Sequence, residues 1–157
     1  MAGEERLLAF VQQVQIKFDI VRPNQPMPTV PLAAAAIGVE ESQIIKSVLF
    51  MGTPGTIVLA IACGVSRIDR NRLSVVSGLG ELRLADPETV LSSTGFPAGG
   101  VSPIGHATRI PVVIDSRVMV QEIVYGGAGS AHSLLRIAPE DIHRLTGATI
   151  GEITVEP

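Results

Sequence analysis

One cysteine, no tryptophan and two lysines stand among the 157 residues. A lone cysteine excludes an internal disulfide framework and any Cys-rich zinc site. Cys63 falls in the apolar run Ile57–Cys63, where a buried structural thiol is expected in preference to a reactive one. Aromatics make up 3 % of the chain, so the core must be aliphatic. Charged residues are scarce, at 17 % against 46 % hydrophobic, the reverse of a disordered chain. The 16 glycines and 11 prolines are dispersed, which excludes collagen-like and low-complexity organisation. Net charge is −3 and the pI about 5.6. A basic face gripping many phosphates is therefore not expected, although a local basic mouth stays open. No apolar run approaches the ~20 residues of a membrane helix. The opening MAGEERLLAF carries two acids ahead of its apolar residues, unlike a signal peptide. These absences predict a soluble protein of a reducing compartment, the cytoplasm, with no membrane partner.

What is present reads as one domain spanning residues 1–157. Leu7, Val11, Val14 and Phe18 recur at helical spacing behind Glu4 and Glu5, predicting a helix over residues 4–18. Pro23, Pro26, Pro28 and Pro31 then impose an extended connector. Leu32–Ile37 reads as an alanine-rich helix closed by Gly38, and Glu40–Ile44 as a helical turn. Ser47–Met51 and Thr56–Cys63 flank GTPG as a hairpin. A helix is predicted over Asp69–Ser77, a short strand at Leu82–Leu84, and a helix from Asp86-Pro87-Glu88 to Gly95. After the loop Phe96–Gly105 come a strand at Pro111–Ile114, another within Val118–Tyr125, a turn at Gly126–Gly129, a strand at Leu134–Ile137 and a last helix over Pro139–Leu145. The irregular alternation predicts an α/β domain with a mixed sheet shared by Ser47–Met51, Thr56–Cys63, Pro111–Ile114 and Leu134–Ile137.

Two features can carry chemistry. Lys46 stands at the start of the apolar strand Ile44–Phe50. Its charge must either snorkel to water along an apolar stem or serve as a point charge at a pocket rim, suited to phosphate or a ribose hydroxyl. The second is Gly99-Gly100-Val101-Ser102-Pro103-Ile104-Gly105. Its glycines permit positive φ and close backbone approach, and Pro103 stiffens the exit. Such a loop is either a plain surface turn or a cradle that aims N–H groups at an anion or oxyanion. Lys46, Gly99, Ser102 and Gly105 are expected around one cleft, with the Lys46 Nζ pointing into it. His106 follows the glycine loop and His132 the Gly126–Gly129 turn, and either can be a loop histidine or face a pocket. His143 on the last helix reads as solvated, and Asp115 either caps a turn or lines the cleft. No P-loop, Gly-x-Ser-x-Gly elbow or His-Glu-x-x-His motif occurs, and no metal constellation is evident.

In order along the chain these segments resemble the YbaK and prolyl-tRNA synthetase-associated domain family of free-standing aminoacyl-tRNA editing domains. The resemblance is carried by Thr29 with Ala33–Val39, by Gln43–Phe50 around Lys46, and by the Gly-x-x-x-Pro loop Gly99–Pro103. Asp115 after Pro-Val-Val-Ile, and Gly129 with Leu134–Ile137 and Ala138–Ile142, complete it. It implies a mixed, mostly antiparallel sheet curled into a partial barrel with surrounding helices. It implies hydrolysis of the ester between a wrong amino acid and a tRNA, Cys- or Ala-tRNA(Pro), with the terminal ribose hydroxyl or the substrate thiol activating the attack. No metal, cofactor or protein nucleophile is implied. Lys46 and Gly99 would be the catalytic pair. Thr29, Gly100, Ser102, Pro103, Gly105, Asp115, Gly129 and His132 would bind substrate, whose 3′-terminal adenosine is held, and a prolyl-tRNA synthetase is an implied partner. The alternative is a non-catalytic module for a tRNA end or a nucleotide. Ile104 in place of the family's usual Phe, and His132 in a glycine-rich segment, leave the amino acid open.

Overall fold

The computed structural model describes residues 2–157. Helix α1 (Gly3–Gln13) buries Leu7 and Val11. It ends before Val14, which is extended, and Phe18–Val21 form strand β1. The predicted helix to residue 18 is thus too long. Val14 and Phe18 satisfy a helical period, but Ile16, Phe18 and Ile20 equally satisfy a period of two. Pairing of β1 with a distant strand settles the matter.

Helix α2 (Val30–Ile37) is capped by Thr29, whose Oγ1 accepts from Leu32 N at 3.3 Å, and closed by Gly38 in the left-handed conformation. Such a cap is worth about 1 kcal/mol. A single 3₁₀ turn, Glu41–Gln43, has a reciprocal capping box in which Gln43 Oε1 accepts from Glu40 N at 3.1 Å. It delivers the chain into β2 (Ile45–Met51). The remaining elements are β3 (Ile57–Cys63), β4 (Arg67–Ile68), α3 (Arg70–Ser77), β5 (Arg83–Leu84), α4 (Pro87–Thr94), β6 (Val112–Asp115), β7 (Val124–Gly127), β8 (Leu134–Ile137), α5 (Pro139–Thr146), β9 (Thr149–Gly151) and β10 (Thr154–Val155).

Three sheets result, ordered β5-β2-β3-β6-β9, β1-β8-β7 and β10-β4. Among the described residues the β3–β6 and β6–β9 pairs are the only parallel strand pairs, so the arrangement is mixed and mostly antiparallel as expected. Leu134–Ile137 does not join β2, β3 and β6, contrary to the expectation of one shared sheet. It pairs instead with β1 and β7, because the strand unforeseen at Phe18–Val21 supplies an edge for it. The sheets meet where Ile44 bridges Tyr125, without closing a barrel.

β3 is buried on both faces, which explains its unbroken apolar run. Leu59 and Ile61 face the main core with Leu7, Val124, Leu135 and Ile142. Val58 and Ala60 face a second cluster with Phe50, Leu73 and Ile153. A third, smaller cluster joins Ala33 and Ala34 of α2 to Ile44 and Leu134. Cys63 is buried and free, as its setting predicted.

Candidate functional site

β2 pairs with β3 along its whole length, but only the two ends of its other edge are covered. Ile44 bridges Tyr125 at one end, and Phe50 and Met51 pair with Leu84 and Arg83 at the other. Between these anchors, Lys46–Val48 have no strand neighbour on that edge among the described residues. A cleft of about 470 Å³ opens there. Its walls come from Met27–Val30 and Ala33, from Leu84–Ala85 with Pro87 and Val90, from Ala98, Gly99 and Val101, and from Gly127, Ser130, Ala131, Ser133 and Leu134.

Lys46 lines the cleft, but its Nζ donates to the carbonyl of Ser66, outside the lining, at 2.8 Å. Burial pushes the ammonium below the ordinary lysine pKa, and the neighbouring Cys63 opposes that shift. The same burial pushes the Cys63 thiol up, with Asp115 adding to it, so the thiol stays protonated near neutrality. A cation in this position is short of water and therefore strong toward a ligand's negative charge.

Thr29 and Gly99 also line the cleft. Gly99 has φ +87°, and a Cβ built on it would meet nothing within 4 Å. The loop behind it is laid directly on β7. Gly129 N donates to Gly100 O at 2.9 Å, and a Cβ on Gly127 would lie 2.3 Å from Val101 O. Gly126 and Gly127 thus belong to a strand, not to the predicted turn; they are glycines because another backbone crosses them. Pro103 packs over Gly126, and Gly100 abuts the Ser130 backbone. Gly100, Pro103 and Gly129 accordingly shape this wall without facing the cleft.

The other expected contacts lie elsewhere. Ser102 is fully buried; its Oγ accepts from Ile104 N at 3.2 Å, and its carbonyl accepts from His106 Nε2 at 2.7 Å. Gly105 sits against the Phe10 ring of α1. The expectation that Ser102 and Gly105 border the cleft with Lys46 is therefore corrected: the second half of the loop turns into the core. Asp115, 1 % exposed, accepts from Ile153 N at 2.9 Å and from Arg117 N at 3.2 Å, binding β6 to the C-terminal segment. His132 is exposed and its backbone N donates to Ser130 Oγ, away from the cleft lining. His106, packed edge-on to Phe96, is depressed in pKa by desolvation and lies outside the lining as well.

Sequence reasoning pointed to the segment Gly126–Ser133 but singled out His132 and Gly129 in it and missed its serines. Ser130 and Ser133 line the cleft with their hydroxyl oxygens 3.0 Å apart, and Ala131 lies between them. Serines in a glycine-rich segment look like any loop; only the packing of that segment against the Gly99 wall brings them here. Among the described residues no group of three or more His, Cys, Asp or Glu side chains is placed to hold a metal ion. Among the described residues no helix is long and apolar enough to cross a membrane.

Residues 24–145 match the model of the aminoacyl-tRNA editing domain, and the chain belongs to that family. An uncharacterised protein of Bacillus subtilis is 32 % identical over 124 residues, 79 % of this chain and 78 % of the relative. A protein of Enterococcus faecalis, described as a candidate Cys-tRNA(Pro)/Cys-tRNA(Cys) deacylase, is 27 % identical over 123 residues, 78 % of this chain and 75 % of its own. A solved structure described as a candidate trans-editing enzyme for prolyl-tRNA synthetase superposes with a TM-score of 0.89 at 31 % identity, covering 98 % of this chain and 97 % of the other. The proline–tRNA ligase of Thermotoga neapolitana is 34 % identical over 67 % of this chain, in a segment amounting to 18 % of the ligase.

Proposed function

We propose that this chain is a trans-editing hydrolase: it deacylates mischarged aminoacyl-tRNA, Cys- or Ala-tRNA(Pro), as one domain over residues 1–157 in the cytoplasm. The observation that carries this reading is the pairing of Lys46 with Gly99 on the lining of one cleft. In hydrolysis, water oxygen bonds to the ester carbonyl carbon and the bond to the ribose oxygen breaks. The leaving ribose oxygen takes a proton, and the amino acid departs as the free acid. The carbonyl oxygen gathers charge in the transition state, and a preorganised donor facing it lowers the barrier. Lys46 supplies a cation, and the backbone at Gly99 admits the terminal adenosine and carbonyl with no side chain in the way. The attacking water is activated by the substrate, through the ribose hydroxyl or the thiol of cysteine. No resident metal or cofactor is called for. Thr29 contributes to substrate binding, and Gly100, Pro103 and Gly129 hold the Gly99 wall.

The logic is that of a second sieve. Amino acids differing by a methyl or a thiol separate poorly in one synthetase pocket, so a further pocket removes the errors. A prolyl-tRNA synthetase is the enzyme whose errors this protein would correct. The acidic pI is compatible with holding chiefly a tRNA end.

A panel of mischarged tRNAs tests the reading, with single-turnover deacylation as readout. Release of cysteine or alanine from proline tRNA, unchanged by a chelator, is the expected result. Lys46→Ala should slow it by about 10²–10³-fold, and Lys46→Arg should not restore it, since a planar guanidinium does not replace a point charge. Full activity of Lys46→Ala would remove the lysine from the site. Binding of the tRNA end without turnover would leave a non-catalytic module.

A further inference from the structure

A lysine ammonium has three donors, and Lys46 uses one of them inside the protein, on the Ser66 carbonyl. Ser66 is not part of the cleft lining. It lies in the turn between β3 and β4 and is 7 % exposed. Its own hydroxyl donates back across that turn to the Cys63 carbonyl at 3.0 Å. The turn is held at its other end by Gly64 N, which donates to Ile44 O at 2.9 Å. Ile44 directly precedes the strand that carries Lys46. A short loop is thus closed on itself and tied to β2, with one carbonyl aimed at the end of a flexible side chain.

A lysine at a cleft rim ordinarily samples many rotamers, and immobilising it costs conformational entropy. An anchor that does this in the folded protein removes the cost from the substrate-bound state. The Ser66 carbonyl is such an anchor, because it occupies one donor and leaves two for a ligand. We propose that Ser66 is a positioning residue, whose hydroxyl fixes the β3–β4 turn so that its carbonyl holds Lys46 Nζ at the cleft. This rests on the reading of Lys46 as the cation that meets substrate.

The competing account is that the Ser66 hydroxyl merely satisfies a buried carbonyl. Ser66→Ala and Ser66→Thr in the full chain separate the two. Single-turnover deacylation, tRNA binding and thermal unfolding are measured together with an NMR titration of the Lys46 side-chain nitrogen. The chain has two lysines, so a Lys17→Arg background identifies the Lys46 signal directly. The expected result is a loss of about 10- to 100-fold in the Ser66→Ala rate with tRNA affinity unchanged. The Lys46 titration should move up, toward the ordinary lysine value, as the freed ammonium gains water. Ser66→Thr keeps the hydroxyl and should restore both. A Ser66→Ala rate within about twofold of wild type overturns the proposal. So does a loss that follows the melting temperature while the Lys46 titration stays put. If the wild type deacylates no tRNA, the deacylase reading alone fails; the Lys46 titration still decides on Ser66, a shift supporting its role and an unmoved curve refuting it.

Discussion

Gly99 and Gly105 stand at the two ends of one loop, both at positive φ, +87° and +77°. Their surroundings are opposite. A Cβ on Gly99 would meet open space at the cleft, whereas one on Gly105 would press on Phe10 at 3.1 Å. The first half of the loop leaves room for a visitor, and the second half, with Ser102 and Ile104 fully buried, is core. The same residue type, favoured by a similar φ, therefore borders a cleft at one end and packs into the core at the other. Backbone conformation alone does not tell the two apart; the neighbour that fills or spares the missing side chain does.

The largest expected effect is on the site half. Gly99→Ala puts a methyl group where the terminal adenosine and carbonyl must approach, and displacing them should slow single-turnover deacylation by about 10²-fold. It should cost only about 1 kcal/mol of folding stability, from the φ restriction. A rate near wild type, or a stability loss that accounts for the rate loss, would erase the contrast between the two glycines. Gly105→Ala should show the reverse pattern. The left-handed backbone and the contact with Phe10 together should cost about 2–4 kcal/mol in denaturant unfolding. The fraction that remains folded should turn over as wild type does. In a Phe10→Ala background the same substitution should cost less, a coupling that a double-mutant cycle measures.

The smallest effect sharpens the packing half further. His106 closes the loop on the Ser102 carbonyl, and desolvation holds its pKa below the ordinary value. The unfolded chain therefore takes up this proton first as pH falls. Stability contributed by the neutral imidazole is complete above the unfolded pKa of about 6.5 and is lost as pH falls toward the folded value. Melting temperatures between neutral and mildly acidic pH should fall further in wild type than in His106→Gln. Equal slopes would show that the imidazole does not couple the loop to pH.

Much of this was readable from local chemistry. Asp86-Pro87 begins a helix and Gly95 ends it because an Asx cap, a proline at the first position and a left-handed glycine are each local demands. The hairpin at GTPG and the helices closed by Gly38, Gly78 and Gly147 follow the same way. Lys46 was conspicuous because a charge in an apolar strand needs an explanation wherever the strand ends up. Strand β1 was not readable, since its residues fit two periods and its partner lies more than a hundred positions away.

What the amino-acid order determines by itself is thus the set of elements with strong caps, the aliphatic core and the two candidate features, Lys46 and the glycine loop. Each rests on interactions between near neighbours in the chain. Tertiary structure alone decided that Gly99 faces the cleft while Ser102 and Gly105 do not, and that Asp115 binds β6 to Ile153. It alone brought Ser130 and Ser133 to the same cleft as Lys46 and gave the lysine its partner at Ser66. These are contacts between distant segments. Their partners are chosen when the sheets pack and one edge of β2 is left uncovered, and no local propensity records which segment will arrive there.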